Sequence, residues 1–501
     1  LSSGAADESF VFGNPGDKPV IGDWDGDRTD EVGVQRGDTW YFQGAGSAVF
    51  GEAGWFPLAG FFMSKIGTGR LDIVETARAA DDFNVLVAAL EATGLDAALK
   101  GPGPFTVFAP TDQAFADLEA ANPGIIQALL EDEEALTRIL TYHAAAGKLP
   151  ASDVVALDGS YVETLGGELV WVDVMSDKVY LNSDSEVVGT DIYASNGIIH
   201  VIDTVLVPQD IVETAVANDD FNLLVAAVGA AGLGDALSAP NGPYTVFAPT
   251  DKAFEALPEE TLDYLLDPAN VEELQRVLTY HVAEGVVPES TVATLDGKYA
   301  QTLGSELVWV DIVDGKVRLN NTSVDGSDAE VLVTDIKTSN GIIHVIDAVL
   351  VPQDIVATAA GLEDFSTLVY AIGEAGLGTA LSAPNGPYTV FAPTNTAFDA
   401  VDEDLLDAVL GDPEGLLTDV LTYHVLGDVY LSGDVAGWVG GDSPATLQGS
   451  TIAVGEGFVL NPGMNDLGIN NAHIVLDGGI DIKTSNGVIH VIDAVIAPPL
   501  G

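Results

Sequence analysis

Apolar residues along this chain are spaced in two alternating ways. In Phe83-Asn-Val-Leu-Val-Ala-Ala-Leu90 they recur with the period of an amphipathic helix that ends near Gly94. In Glu168-Leu-Val-Trp-Val-Asp173 and Glu306-Leu-Val-Trp-Val-Asp311 they form short β-branched and aromatic runs, which predict strands. Thr-Val-Phe at 106–108 predicts a buried strand; Pro110 stops it, and Thr111 or Asp112 caps the next helix. Asp72-Ile-Val-Glu75 and Asp210-Ile-Val-Glu213 have the form of capping boxes, whereas Asp354-Ile-Val-Ala357 lacks the glutamate. No apolar run reaches the roughly eighteen residues that a membrane-spanning helix needs.

These elements repeat. Phe-Thr-Val-Phe-Ala-Pro-Thr-Asp at 105–112 returns at 244–251 and 388–395 with small changes. Leu-Thr-Tyr-His carries its histidine at 143, 281 and 424, and Ser-Asn-Gly-(Ile/Val)-Ile-His-Val-Ile-Asp carries its histidine at 200, 344 and 490. A period of about 140 residues is that of whole domains and not of solenoid turns. The domain boundaries fall at 71–208, 209–352 and 353–501, after a segment 1–70 of different character. Only Gln209 or Gln353 separates a closing proline from the next capping Asp, so abutting domains in a stiff rod are expected.

The Thr-Val-Phe-Ala-Pro-Thr block, the Tyr-His pair and the Asn-Gly-x-Ile-His-Val-Ile-Asp block resemble the fasciclin (FAS1) domain family over residues 71–499. The resemblance implies an α+β fold, a wedge of strands packed with helices in each of three tandem domains, and secreted or cell-surface proteins used in adhesion and matrix. The third copy departs from the pattern: Ile452-Ala-Val-Gly455 replaces Trp-Val-Asp, and 456–480 holds a Gly/Asn-rich insertion.

In the small all-β segment 1–70, Val11–Gly22 aligns with Val49–Gly60, and Asp23-Trp-Asp25-Gly-Asp27-Arg-Thr29-Asp30-Glu31 lies between them. This pattern resembles an FG-GAP/VCBS propeller-blade repeat. One blade and the start of a second cannot close a propeller, so an unfinished sheet edge is expected. Calcium takes six to eight hard oxygens. Asp23, Asp25, Asp27, the Thr29 carbonyl and Asp30 or Glu31 supply them around Gly26, whereas Phe61, Met63, Lys65 and Gly69 at the equivalent positions do not. An acidic surface turn without metal is the competing reading.

Composition narrows the function. Acidic residues number 77 and basic ones 17, a net charge of −60 that repels nucleic acid and anionic lipid surfaces. With 47% hydrophobic residues and a mean hydropathy of +0.27, the chain is globular and not disordered. The unpaired carboxylates need screening ions, which suits either a halophilic protein or an acidic secreted one. Absence of cysteine excludes disulfides and thiol chemistry. A chain opening at Leu1 is expected to have lost a targeting peptide.

The histidines lack metal-binding spacings, and buried neutral rings bonded to backbone carbonyls account for them. The fasciclin resemblance adds Tyr142/His143, Tyr280/His281 and Tyr423/His424 as adhesion or ligand candidates. Asn320 and Asn321 begin overlapping glycosylation sequons in a predicted surface turn. No catalytic motif stands out, so no enzyme is expected. The expected function is a secreted or cell-surface structural and adhesion protein, possible partners being a matrix or surface glycan or protein and further copies of itself, joined head-to-tail into a filament through the N-terminal β segment. The alternative is an extracellular module that binds lipid, glycan or peptide without catalysis. Neither nucleic-acid binding nor membrane insertion is expected.

Overall fold

A computed structural model describes residues 71–320, 328–462, 469–476 and 479–498, together with four strands of the N-terminal segment. Leu1–Arg70 and Leu71–Gly501 are two compact units.

In the first unit, β1 (Lys18–Gly22), β2 (Glu31–Arg36), β3 (Thr39–Phe42) and β4 (Gly46–Val49) form an antiparallel meander. Gly22 pairs with Glu31, so the acidic run joins two paired strand ends. Asp23, Asp25, Asp27, Thr29 and Asp30 lie outside the described residues, as do the side-chain atoms of Glu31.

The second unit holds three α+β domains. In the first, β5 (Phe105–Pro110), β6 (Ala144–Ala146), β7 (Ser160–Glu163), β8 (Leu169–Met175), β9 (Lys178–Leu181), β10 (Ser185–Ala194) and β11 (Gly197–Ile202) form one sheet in the order β6-β5-β11-β10-β9-β8-β7. β5 and β11 run parallel, and the other neighbouring pairs are antiparallel. Alternation along β5 sends Val107 and Ala109 into a helix-side core with Ile73, Phe83, Leu86 and Leu136. Phe108 points the other way, into a strand-side core with Tyr142, Val170, Val172 and Ile202. Burial on both faces explains why Val107–Pro110 of this strand reads as an unbroken apolar run.

The predicted caps form. Asp72 with Glu75 and Asp210 with Glu213 make complete capping boxes, and Asp354 alone caps the third copy through the Ala357 amide at 2.7 Å. Thr111 caps its own helix. Asp112 instead accepts at 2.8 Å from the Val85 amide at the start of the helix Asn84–Thr93, and Asp251 and Asn395 repeat this at Leu223 and Thr367. The asparagine of Ser-Asn-Gly ties the first helix to the sheet, its Oδ1 accepting from the Ile73, Ile211 and Ile355 amides. The glycine after it must lack a side chain, because a Cβ on Gly197 would lie 2.1 Å from the Phe105 carbonyl.

The second domain repeats the order with β12 (Tyr244–Pro249), β13 (Val282–Glu284), β14 (Lys298–Gln301), β15 (Leu307–Val313), β16 (Lys316–Leu319), β17 (Ala329–Thr338) and β18 (Gly341–Ile346). The third keeps β19 (Tyr388–Pro393) and β20 (Val425–Leu426) but splits the rest. β21 (Gly441–Asp442), β22 (Ala453–Gly455), β23 (Val459–Leu460) and β24 (Ala472–His473) form one four-stranded sheet. β25 (Ile482–Thr484) and β26 (Gly487–Ile492) join β19 and β20 in another. The long strand that links both halves in β10 and β17 is here two short pieces, β24 and β25, so the sheet parts. Among the described residues no helix is long and apolar enough to cross a membrane.

Candidate functional site: the faces where consecutive domains meet

The six Tyr-His side chains are interior, between 1% and 2% exposed, and so offer no contact surface to a partner. His143 donates from Nδ1 to the Ile139 carbonyl at 2.8 Å, and its Nε2 accepts from the Leu206 amide at 2.9 Å. His281 and His424 repeat both bonds. Only a neutral ring satisfies this pair, and burial lowers all three pKa values to about 4 despite the carbonyl bond.

The tyrosines fasten a strand. Tyr142 donates to the Leu169 carbonyl at 2.6 Å and accepts from Asn182 Nδ2 at 3.0 Å, while Asn182 Oδ1 accepts from the Trp171 amide at 3.0 Å. Tyr280 with Asn320 holds Leu307 and Trp309 in the same way, and Tyr423 with Asn461 holds Thr451 and Ala453. This corrects one expectation. Asn320 is 8% exposed with its amide nitrogen donating to Tyr280, so a glycan there would remove the bracket. Asn321 lies outside the described residues.

The strand so fastened carries the contact between domains. Trp171, 2% exposed, donates its indole N–H to the Thr338 carbonyl of the next domain at 2.9 Å. The Leu169 amide donates to the Ser339 carbonyl at 2.6 Å, and the Ser339 amide is held by the Gln209 carbonyl at 2.7 Å. Glu168, also 2% exposed, accepts from Ser339 Oγ at 2.6 Å and from Arg138 at 2.8 and 3.0 Å. Lys337 pairs with Asp173 and lies 5.5 Å from the Trp171 ring centroid. The buried carboxylate thus has both a charged fork and a hydroxyl, the condition under which burying charge is tolerable.

The second contact repeats the first. Trp309 donates to the Thr484 carbonyl at 2.9 Å, the Leu307 amide to the Ser485 carbonyl at 2.6 Å, and Ser485 Oγ to Glu306 at 2.6 Å. Lys483 binds Asp311 at 2.6 Å and sits 5.2 Å from the Trp309 ring centroid. One difference separates them. Arg138 also bridges to Glu213 of the following domain at 2.9 and 3.0 Å, but Ala357 occupies that position in the third domain, and Arg276 turns to Glu273 of its own helix. Burial opposes the charge on Arg138, but Glu168 and Glu213 outweigh it and hold the guanidinium above its ordinary range; Arg276 is raised chiefly by Glu306. Burial also resists ionisation of Glu213, yet the Arg138 bonds lower its pKa.

Among the described residues no group of three or more His, Asp or Glu is placed to hold a metal. The joint was not read from the sequence, although Glu-Leu-Val-Trp-Val-Asp in copies one and two, and Lys-Thr-Ser-Asn-Gly in copies two and three, carried its signal.

Comparison with known proteins agrees with this architecture. The fasciclin domain model matches residues 81–208, 219–352 and 363–498. The chain is 30% identical to transforming growth factor-beta-induced protein ig-h3 of Sus scrofa over 443 residues, 87% of this chain and 59% of that protein. It is 28% identical to periostin of Homo sapiens over 444 residues, 87% of this chain and 48% of that protein. Protein sll1483 of Synechocystis sp. is 46% identical over 142 residues, 28% of this chain and 73% of that protein. The chain therefore spans about half the length of the two animal relatives. With three matched domains and their shared motifs in place, the chain belongs to the fasciclin family.

Proposed function

We propose that this chain is a secreted or cell-surface structural and adhesion protein that works without catalysis and presents three fasciclin domains as one fixed array. The observation that carries the reading is the repeated joint: two buried Trp-to-carbonyl bonds with matched ion pairs tie successive domains, so their outer faces are displayed in a set order. Family membership supports the extracellular, adhesive side of the reading. A matrix or cell-surface glycan or protein is the partner. Binding of the purified chain to immobilised matrix proteins and glycans, read by surface plasmon resonance, tests it. Binding to none of them would contradict it.

Self-assembly belongs to this proposal. The N-terminal segment resembles a propeller blade, and an unpaired sheet edge accepts a strand from a neighbour. Asp23, Asp25, Asp27, Asp30 and Glu31, with the Thr29 carbonyl, would hold calcium; their hard oxygens fit it, and the paired Gly22 and Glu31 bring the ends of that run together. Calcium there would brace the meander. Electron microscopy of the protein with and without a chelator tests this: fibres that shorten on chelation are expected, and single particles in both conditions would leave adhesion without filaments.

The ligand-binding alternative calls for an apolar pocket common to the first two domains. The cleft of about 460 Å³ beside the first joint has a mixed lining, with Asp132, Glu134, Arg138 and Glu168 beside Ala135 and, from the next domain, Ala239 and Pro240.

A further inference from the structure

Each joint has a projecting half and a receiving half, and the two halves are distributed unevenly over the domains. Equivalent positions are fixed by equivalent bonds. Tyr142, Tyr280 and Tyr423 donate to the carbonyls of Leu169, Leu307 and Thr451, and the asparagine partners accept from the amides of Trp171, Trp309 and Ala453. The projecting tryptophan is therefore alanine in the third domain. By the same register its Glu, Asp and Arg are Ser450, Gly455 and Asp419.

On the receiving side, the Ser195, Ser339 and Ser485 amides donate to the carbonyls of Leu71, Gln209 and Gln353. Lys337-Thr338 and Lys483-Thr484 precede the last two serines, but Tyr193-Ala194 precedes the first. Tyr193 is 42% exposed and lies under the Lys148 ammonium, 4.4 Å from its ring centroid. The first domain thus projects without the receiving lysine, the second does both, and the third receives without projecting.

We propose that the Trp-Val-Asp strand reads the Lys-Thr-Ser turn as an address. It permits domain one to seat on two and two on three, and it bars a second copy of this chain from extending the series through the same surface. Facing a Tyr193-Ala194 turn, the third domain has Ala453 in place of the indole donor and Gly455 in place of the carboxylate that meets the lysine, and it places Asp419 where the guanidinium stood. On a chain of net charge −60, a contact stripped of its cation is also repelled. End-to-end assembly must then use other surfaces, so this inference stands apart from the filament proposal.

The test grafts the first domain's turn onto the third in the full chain. The protein has no cysteine, so Tyr264→Cys and Tyr370→Cys, both at exposed helix positions, place a dye pair across the second joint. Single-molecule energy transfer should give one narrow population in the parent and in Lys483→Arg. Lys483→Tyr with Thr484→Ala should give a broad population at a different mean. Asp311→Gly, which installs the third domain's residue on the second, should do the same, while far-UV circular dichroism stays at the parental value. A population as narrow and centred as the parent's in both the grafted turn and Asp311→Gly would overturn the address, as would equal broadening by Lys483→Arg.

Discussion

Trp171 in the first domain hydrogen-bonds the backbone carbonyl of Thr338 in the second, across 2.9 Å and 167 positions of sequence. Its ring is almost wholly buried, so the bond forms where water cannot replace it. The tyrosine below belongs to the same device: Tyr142 and Asn182 fix the strand from which Trp171 projects. Core and joint are one hydrogen-bonded continuum.

The buried carboxylates depend on their arginines. Arg276→Met leaves Glu306, 1% exposed, with only the Ser485 hydroxyl and no cation. The expected loss is about 3–5 kcal/mol, the scale for stranding a buried charge. Chemical denaturation followed by tryptophan fluorescence reads it; a loss under about 1 kcal/mol would show that Glu306 is solvated and the joint open.

The two joints should differ in strength. Glu213→Gln removes the charge of the extra bridge to Arg138 while a glutamine can keep the capping bond to the Asp210 amide, and Glu213 is 42% exposed at its side chain, so the effect should be about 1 kcal/mol or less and centred on the first joint. Hydrogen exchange at the Ser339 amide region should rise while that at Ser485 is unchanged. Equal change at both would contradict the asymmetry.

Tyr280→Phe should cost about 1–3 kcal/mol, since it deletes the bond to the Leu307 carbonyl and strands Asn320 Nδ2. The readout is the midpoint of thermal unfolding beside exchange of the Trp309 indole proton. Loss of stability with an unchanged indole rate would separate the core from the joint.

Acid should destabilise the domains through His143, His281 and His424. Their folded pKa of about 4 lies below the ordinary 6.5, so the unfolded chain takes up protons that the folded one refuses. This contribution is complete above pH 6.5 and is lost as pH falls from 6.5 toward 4. Ring resonances of the three histidines should remain neutral at pH 6 in a nuclear magnetic resonance titration. Half-protonation near 6.5 would contradict their burial.

Much of a single domain could be read from local sequence. Asp72 and Glu75 announce a helix start because both halves of the capping box lie within one turn, and the β-branched and aromatic Thr-Val-Phe, stopped by Pro110, announces a buried strand. The interior histidines followed from their apolar neighbours. The joint did not, because its halves lie over 160 positions apart and Glu168, a residue ordinarily exposed, becomes buried only when Ser339 and Arg138 meet it. Asp112 was legible as a cap, but that it serves the start of the Asn84–Thr93 helix, across a short helix and a strand, depends on packing. Asn320 looked like a surface acceptor because three letters define a sequon, whereas its burial is set by Tyr280 forty positions away.

Indole hydrogen exchange in the intact chain tests the central claim most directly. If the joints hold the three domains as one array, the Nε1 protons of Trp171 and Trp309 should exchange far more slowly than that of the partly exposed Trp438, and Lys483→Tyr should accelerate Trp309 while sparing Trp171. Exchange of both indoles as fast as Trp438 in the unmodified protein would contradict it.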